Sequence, residues 1–493
     1  MNYTILDCYT DEPAGLGVPP YLGTYPRYLY GFLKDKGINP NYITIDDLRL
    51  HYFYKDNIKE PSEKEKTDIR TYNLTIHTLN KTFSKILEET DFLIIILGVH
   101  VPGKYLSALP GTLKELTLIL KNLKLKAKKI LTGPAIFGTQ LEGGKTYEKI
   151  DKTIFDEIKQ YGFEFGSFEN LQKYAIKGTE IIKQIPDYRI IEIETGRGCN
   201  IGKCSFCTEP LKNKFVNRKT QDIVEEVKYF YDLGCRYFRL GKQSDFYSIE
   251  DPINLLKSIR EKCPDIEVLH IDNVNPVFVI NEKGIEITKA IVKYCTEGNI
   301  AAFGVESFDP IVVKENTLNC SPYVAMKAIE IINKYGSERG NNGMPKFLPG
   351  INIIFGLKGE TKKTHQLNME AFKKILSNGW LLRRINIRQV ALLPNTKMSE
   401  YGLKWFNKNK QYYWKWRNQI RQEIDLPMLK KLVPEGSILK NVYSEIYEGK
   451  TTFARQIGTY PLVIGIDKRI PLKKFYNVKI TKHMLRSVSG EII

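Results

Sequence analysis

Three cysteines that stand within nine residues of one another constrain this chain more than any other feature: Cys199, Cys204 and Cys207. They lie in a glycine-rich stretch directly after the apolar run 188–193, so they fall in the loop that follows a predicted strand. Three thiolates can hold three irons of a 4Fe-4S cluster and leave the fourth iron open, whereas a closed cluster or a structural zinc site usually has a fourth protein ligand. The next cysteine is Cys235, and no second cysteine pair completes a zinc ribbon. The loop therefore predicts a 4Fe-4S cluster with one open iron.

Length and composition predict several globular domains in a reducing compartment. A chain of 493 residues with 42% hydrophobic residues can build two or three cores. The other five of its eight cysteines are scattered, which excludes a secreted disulfide scaffold. The N-terminus lacks the pattern of a secretory signal, and no apolar run approaches the roughly 20 residues of a membrane span. We therefore expect a cytoplasmic protein without a membrane partner.

The charge favours an anionic partner. Lys and Arg total 74 against 56 Asp and Glu, a formal net charge of +18. Such an excess is typical of proteins that bind nucleic acid. A compositionally biased genome or a thermophile's charged surface would give a similar composition, so charge alone leaves the partner open.

The order of apolar segments predicts an α/β architecture in the first 400 residues. Residues 1–175 alternate strands and helices as in a doubly wound, Rossmann-like domain, with strands predicted near 3–7, 42–46, 91–97 and 127–132 and a helix near 25–36. Residues 185–400 hold six strand-helix units, with strands predicted near 190, 237–240, 267–271, 301–305, 350–355 and 384–387. Chemistry in barrels of such units sits at the carboxyl ends of the strands.

Two further segments complete the predicted domain organisation. Residues 401–437 are aromatic and basic and predict a helical connector that packs on the preceding domain. Residues 438–493 read as short strands and turns, with strands near 442–447, 460–465 and 476–480. This pattern is typical of a small β-barrel.

The cysteine motif and two later segments resemble the radical S-adenosylmethionine (SAM) superfamily. Four residues separate the first two cysteines of the motif, where the commonest pattern of the family has three. The two later segments are 304–307 and 355–361, and they follow the cysteine motif in the family's order. The resemblance implies a partial (β/α)6 barrel in which SAM chelates the open iron. An electron from a donor such as ferredoxin or flavodoxin would then release a 5'-deoxyadenosyl radical.

The resemblance also implies which residues hold SAM. Phe206, between the last two cysteines, would pack by the adenine. Segment 240–243 stands where the family binds the methionyl ammonium, although glutamine replaces the family's acid. The implied cofactor-binding residues are Phe206, Gly241, Gln243, Glu306, Ser307, Gly356, Gly359 and Glu360.

Resemblances outside the core concern both ends of the chain. Residues 1–175 resemble the cobalamin-binding-like domain that precedes many such cores, but the family's ligand histidine has no counterpart in 7–15, and His100 is the only local candidate. We therefore expect no cobalamin held by a histidine, whereas binding of cobalamin without a histidine ligand stays open. Residues 448–455 and 478–490 resemble the TRAM domain of tRNA-modifying enzymes, and most of residues 1–490 resemble an archaeal-type group of radical SAM proteins.

Polar residues at the ends of late strands are the candidate catalytic groups. His270 and Asp272 share one face of an extended segment and could serve as acid and base, and Arg388 joins them if the strands are placed correctly. Polar groups that merely satisfy strand ends would give the same pattern. The other expected substrate contacts are Asn273, Asn275, Arg384 and Gln389.

Together these features predict a radical SAM enzyme that modifies RNA, above all tRNA. A radical methylase, dependent on cobalamin or independent of it, and an enzyme acting on a small molecule or peptide are the alternatives. A methylthiotransferase would need three further cysteines in the N-terminal domain, where only Cys8 lies. A non-catalytic iron-sulfur protein that binds RNA belongs to a different class and is disfavoured by the open iron.

Overall fold

The computed structural model describes residues 1–9, 22–57, 83–98, 109–137, 150, 152–163, 167–186 and 189–493. The chain builds an N-terminal parallel sheet, a central barrel-like sheet and a closed C-terminal barrel. Residues 10–15 of the segment 7–15 and His100, which entered the sequence interpretation, lie outside the described residues.

The N-terminal part is a five-stranded parallel sheet. Its strands are Tyr3–Asp7 (β1), Asn41–Thr44 (β2), Phe92–Ile96 (β3), Lys128–Thr132 (β4) and Glu157–Ile158 (β5), in the order β2-β1-β3-β4-β5. Continuous apolar runs such as Phe-Leu-Ile-Ile-Ile in β3 suit strands that helices cover on both faces. Those helices are Thr24–Asp35 (α1), Ile45–Tyr54 (α2), Phe83–Glu89 (α3), Leu113–Asn122 (α4) and Phe168–Lys177 (α5). The predicted Rossmann-like architecture is confirmed.

The central part is a row of parallel strands whose third member is divided. The strands are Ile191–Glu194 (β6), Tyr237–Gly241 (β9), Val268–Ile271 (β10), Asn273–Val274 (β11), Asn299–Glu306 (β12), Phe347–Phe355 (β13) and Arg384–Gln389 (β14). One sheet has the order β10-β9-β6 and the other the order β11-β12-β13-β14. Because only Asp272 separates β10 from β11, the two sheets form one six-strand succession that bends at this residue. The predicted partial (β/α)6 barrel is confirmed.

Helices alternate with these strands and cover their outer side. They are Glu209–Lys212 (α6), Thr220–Asp232 (α7), Pro252–Lys262 (α8), Pro276–Val279 (α9), Glu282–Tyr294 (α10), Pro310–Glu315 (α11), Pro322–Gly336 (α12) and Lys362–Ser377 (α13). A short antiparallel pair, Gly196–Arg197 (β7) with Val216–Asn217 (β8), closes the cysteine loop at its base.

The C-terminal part begins with helices and ends in a closed barrel. Lys397–Tyr401 (α14) precedes Lys404–Ile420 (α15), which continues through a π-helical turn, Arg421–Asp425, into Leu426–Leu432 (α16). The strands Ile438–Glu448 (β15), Thr451–Gln456 (β16), Val463–Ile466 (β17), Phe475–His483 (β18) and Ser487–Ile492 (β19) close in the order β15-β16-β17-β19-β18. Strand β19 was missed in the sequence because Ser, Gly and Glu interrupt its apolar pattern.

The N-terminal part seals the free edge of the central sheet. The amide of Leu22 donates to the carbonyl of Ile190 at 2.9 Å, and the amide of Glu192 donates to the carbonyl of Leu22 at 3.1 Å. This bridge extends the sheet beyond β6 and covers backbone groups that an edge strand would leave open. Helix α1 is thereby held against the barrel opening.

A buried ion triad joins α1 to α7. The Arg27 guanidinium contacts one carboxylate oxygen of Glu226, and Arg218 contacts the other. All three side chains are at most 1% exposed. Arg27 also donates to the backbone carbonyl of Glu192, so the triad is tied to β6 itself.

The C-terminal barrel packs at the opposite, amino end of the central strands. Ile457 and Tyr443 of the barrel form one buried cluster with Ile190, Tyr237 and Val268, which stand at the starts of β6, β9 and β10. The C-terminal barrel therefore covers the amino end of the central barrel.

Among the described residues, no helix has the length and apolar character needed to cross a membrane.

Breaking the buried triad should destabilise the whole protein. Glu226→Gln leaves two guanidinium groups buried without their counter-charge, which costs about 3 kcal/mol of unfolding free energy or more. The control is Glu261→Gln, where the exposed pair with Lys257 contributes about 0–1 kcal/mol. Denaturant unfolding of both variants measures the difference, and equal stability of the two would contradict the role assigned to the triad.

Candidate active site

The cysteine loop leaves β6 through two tightly packed glycines. Gly198 has a φ of +74°, and a Cβ there would lie 2.5 Å from backbone atoms of Lys214, so only glycine fits. Gly202 has a φ of +58°, and its amide donates to the Cys199 sulfur at 3.3 Å. The glycines of the motif thus fold the loop back on itself and supply an N–H group to a thiol.

The three predicted thiols are all half-buried and free. Burial raises the pKa of the Cys204 thiol to about 12, and burial likewise raises the pKa of Cys207. Within the described parts of the chain, no three His, Cys, Asp or Glu side chains converge on one metal-ion position. Ligands of a cubane cluster do not converge, because each thiolate binds a different iron. Three thiols, one of which accepts a hydrogen bond from the Gly202 amide, are a donor set that fits such a cluster.

A cavity of about 410 Å³ opens beside the cysteine loop. Phe206 and Glu209 of the loop, Glu306 of β12 and Arg388 of β14 line it together. The N-terminal part contributes the α1 side and the segment after β4, and the C-terminal barrel contributes Tyr460. The volume is in the range of small-molecule sites, and all three parts of the chain share it.

Glu306 is the carboxylate best placed to accept a ligand's hydroxyl groups. It ends β12 with a φ of +62°, a backbone conformation that non-glycine residues adopt at a cost. Burial raises its pKa to about 8, and the nearby Arg388 opposes that shift. Its Oε2 atom is buried and has no hydrogen-bond partner among the described residues. A buried, unpartnered acceptor in a cavity fits the ribose hydroxyls expected there.

Phe206 lines the cavity beside the turn that follows β13. It packs against a buried cluster made by Leu357 and Val390 together with residues of α11 and α14. Leu357 directly follows Gly356, so the aromatic ring of the cysteine loop meets the turn after β13. The structure thus brings together two motifs that lie about 150 residues apart in the sequence.

The turn after β13 is held by Glu360. Gly356 and Gly359 have φ values of +95° and +86°. The Glu360 carboxylate accepts from the Gly356 amide at 2.8 Å and from the Asn409 side chain at 3.2 Å, and burial raises its pKa to about 7. Glu360 therefore locks the turn and does not line the cavity. Ser307 has a similar supporting place, since its hydroxyl accepts from the Asp309 amide at 3.1 Å.

The segment after β9 is tightly packed. A Cβ at Gly241 would lie 1.9 Å from the Glu192 carboxylate, so any larger residue would displace that side chain from its contact with Arg239. Gln243 is buried and accepts from the Thr195 hydroxyl at 3.0 Å. The cavity is lined by Lys242, the residue between them. The sequence located the correct segment, but the side chain that reaches the cavity is a different one.

The catalytic candidates separate into two groups. Asp272 and Arg388 line the cavity. His270 does not, which corrects the expectation that it pairs with Asp272 at the barrel mouth. Its Nδ1 atom accepts from the Thr459 amide at 3.0 Å, and its Nε2 atom bonds the Glu297 carbonyl at 3.2 Å. Burial lowers its pKa to about 4, so His270 is a neutral residue that anchors the C-terminal barrel.

Two charged residues that extend from Asp272 across neighbouring strands, Arg239 and Glu192, were missed in the sequence. Arg239 of β9 donates to Glu192 of β6 at 2.6 Å and lies 3.7 Å from Asp272. The Tyr460 hydroxyl donates to Asp272 at 3.4 Å. The available signal was a charged residue within each otherwise apolar strand, since buried charges are retained mainly where they are paired or functional.

Comparison with known proteins assigns the family. Residues 193–369 match the family model described as the radical SAM superfamily. An uncharacterized protein of Methanocaldococcus jannaschii is 40% identical over 99% of this chain and 93% of its own length. One from Archaeoglobus fulgidus is 38% identical over 99% of this chain and 90% of its own. The chain belongs to the radical SAM superfamily and is an enzyme.

A solved structure with a similar architecture contains cobalamin. The radical S-adenosylmethionine methyltransferase TsrM from Kitasatospora setae, with cobalamin and a [4Fe-4S] cluster bound, covers 81% of this chain and 77% of its own, at 14% identity and a TM-score of 0.48. The expectation against cobalamin held by a histidine finds no support there and stays a prediction.

The family implies a 4Fe-4S cluster and SAM, and the residues present fit both. The three half-buried thiols would hold the cluster. Phe206 and the unpartnered oxygen of Glu306 would hold the nucleoside part of SAM.

Removing one thiol should abolish the cluster. Cys204→Ala takes away one of three iron ligands, so the iron content after anaerobic reconstitution should fall from about four per chain to near zero. Cys235→Ala is the matched control, because that half-buried thiol lies at the amino end of β9. Iron and sulfide analysis with visible absorption measures both, and full iron content in Cys204→Ala would contradict the assignment.

Changing Glu306 should weaken SAM binding. Glu306→Gln keeps the size of the side chain but replaces one acceptor oxygen by an amide donor, and we expect about tenfold weaker binding. Glu315→Gln, in an exposed ion pair with Lys358, is the control. Equilibrium binding of SAM to the reconstituted variants checks this, and unchanged affinity would remove Glu306 from the SAM site.

Proposed function

We propose that this radical SAM enzyme modifies RNA, with tRNA as the favoured substrate. The observation that carries the proposal is that the C-terminal barrel contributes Tyr460 to the cavity beside the cysteine loop. A barrel that forms part of the cavity can present a bound substrate to the reacting centre. The formal charge of +18 supports an anionic substrate.

Surface residues of the barrel support RNA as that substrate. On and beside β18, Lys474, Lys479 and Lys482 are exposed, and the Phe475 ring is 38% exposed among them. Exposed aromatic rings interleaved with lysines are the means by which small β-barrels bind single-stranded nucleic acid. The likeness of segments 448–455 and 478–490 to the TRAM domain agrees with this surface.

The roles of the site residues follow from their positions. Bound SAM and a reduced cluster supply a 5'-deoxyadenosyl radical, for which an external donor such as ferredoxin or flavodoxin provides one electron. Phe206 and Glu306 would orient the nucleoside, and the α1 helix would exclude water from one side of the cavity. Asp272 and Arg388 are the polar groups available to orient the substrate.

A cobalamin-dependent radical methylase is the second candidate. The carboxyl edge of the N-terminal sheet reaches the cavity, where Pro134 follows β4 and Tyr25 bonds Thr132 at 2.5 Å. Ligands of doubly wound sheets bind at that edge. Corrinoid absorption that persists after anaerobic reconstitution with cobalamin and gel filtration would favour this function.

Deoxyadenosine formation tests the proposed function. Reconstituted wild type with SAM and dithionite should produce 5'-deoxyadenosine, Cys204→Ala should produce none, and bulk tRNA from Methanocaldococcus jannaschii should increase the wild-type yield. The increase is expected because a bound substrate consumes the radical and commits the cleavage.

Two outcomes would count against the proposal, each in a different way. A yield that does not respond to tRNA, with no mass change in its nucleosides, would contradict the RNA substrate. No deoxyadenosine in any mixture despite an intact cluster would contradict radical initiation.

A further inference from the structure

Arginines concentrate at the junction of β14, α15 and the C-terminal barrel. We name five of them the arginine track: Arg486, Arg417, Arg421, Arg384 and Arg388. Arg486 lies in the turn between β18 and β19 and is exposed, Arg417 is half-buried and Arg421 is buried, whereas the half-buried Arg384 and the exposed Arg388 line the cavity. The track thus connects the protein surface with the interior of the site.

The arginines of the track are close neighbours. The pKa of Arg486 is lowered to about 10 by burial and by the charges of Arg421, Arg384 and Arg417. Burial also lowers the pKa of Arg384, and the charges of Arg388 and Arg421 add to that effect. The backbone also brings them together: Arg417 and Arg421 lie one helical turn apart, and Arg421 donates to the carbonyl of Ile385, the neighbour of Arg384, at 2.8 Å.

Few acidic groups face the track. Asp425 pairs with Arg421, Asp272 lies near Arg384, and Glu306 lies near Arg388. Four of the five arginines, all except Arg421, form no ion pair and donate no side-chain hydrogen bond to any residue that the structure describes. Guanidinium groups with free N–H donors, set close together, match the geometry and charge of phosphate.

Aromatic rings hold two members of the track in place. The guanidinium carbon of Arg384 lies 3.8 Å from the ring centroid of Tyr460, and Arg383 donates to the Tyr460 carbonyl at 2.6 Å. Arg417 lies over the ring of Trp414 at 5.2 Å. Stacking leaves the edge of a guanidinium free to donate, so both side chains are positioned for a ligand.

The outer face of α15 extends the same chemistry across the surface. Trp414 is 67% exposed. Two exposed lysines that form no ion pair with described residues lie near it on the helix, Lys410 one turn before it and Lys415 next to it. An exposed ring among cations is a platform on which a base stacks while its backbone is neutralised.

We propose that the arginine track binds successive phosphates of an RNA strand. The strand would pass between α15 and the C-terminal barrel and place one nucleotide in the cavity, while Trp414 stacks a flanking base. This inference rests on the proposed function and specifies how the RNA reaches the site. Phosphate contacts position the strand, so the track fixes its path and not its sequence.

The experiment compares two double variants that remove the same charge. Arg417→Gln/Arg486→Gln removes the outer track, and Lys257→Gln/Lys327→Gln removes two exposed charges on α8 and α12. The probe is bulk tRNA from Methanocaldococcus jannaschii, bound to reconstituted full-length enzyme at a series of salt concentrations. We expect about tenfold or greater loss of affinity in the track variant, a salt slope shallower by about two, and near wild-type behaviour in the control.

Arg384 tests the inner end of the track. Arg384→Gln should abolish the tRNA-dependent increase in 5'-deoxyadenosine while leaving SAM affinity and iron content unchanged, and Arg384→Lys should restore part of it. A loss of SAM affinity in Arg384→Gln would instead place Arg384 in the SAM site and overturn its role in the track.

The outcomes separate this inference from the proposed function. Wild type that binds tRNA while the track and control variants bind it equally well overturns the inference and leaves the function standing. Wild type that binds no tRNA overturns both. Inorganic phosphate and adenosine monophosphate test whether the track binds free phosphates and not a strand. If the track variant loses affinity for these probes while its tRNA binding is unchanged, the track is a free-phosphate site and the proposed strand path is overturned.

Discussion

The contact of Arg27 with Glu226 is the interaction on which the shape of the active site depends. It buries a guanidinium of the N-terminal part between α1, α7 and β6, where Arg218 shares the same carboxylate. Burying three charges is costly unless each is paired, so the two parts can approach only in the arrangement that pairs them. That arrangement puts α1 against the opening of the partial barrel and makes it a wall of the cavity.

Paired charges also line the side of the cavity that faces the C-terminal barrel. Glu192, Arg239 and Asp272 form a row across three strands, and Tyr460 joins it from the C-terminal barrel. The neutral ring of His270 accepts a hydrogen bond from the Thr459 amide and so fixes the loop between β16 and β17 that carries Tyr460. The cavity is therefore a joint product of the three parts, and the C-terminal barrel belongs to the site as well as to the surface. This dependence explains why a substrate held by that barrel would be close to the cysteine loop.

The sequence predicted the features that depend on local pattern. The succession of strands along the chain, the cysteine loop and the turn after β13 follow from apolar runs, glycines and spacing. The roles of individual polar residues depend on contacts between distant segments: His270 meets Thr459 across 189 positions, and Gln243 turns to Thr195 while Lys242 reaches the cavity. Such contacts have no periodicity to reveal them. The arginines of β14, α15 and the last hairpin are likewise far apart in the sequence, and only the fold shows that they are neighbours.

The central claim is that the cysteine loop carries a cluster whose open iron binds SAM inside this shared cavity. Electron-nuclear double resonance on the reduced cluster, with SAM labelled by ¹⁵N at the amino group and ¹⁷O at the carboxylate, tests it most directly. The account predicts hyperfine coupling from both labels, because both groups would chelate the open iron. A reduced cluster that shows coupling from neither label, with SAM bound to the protein, would contradict it.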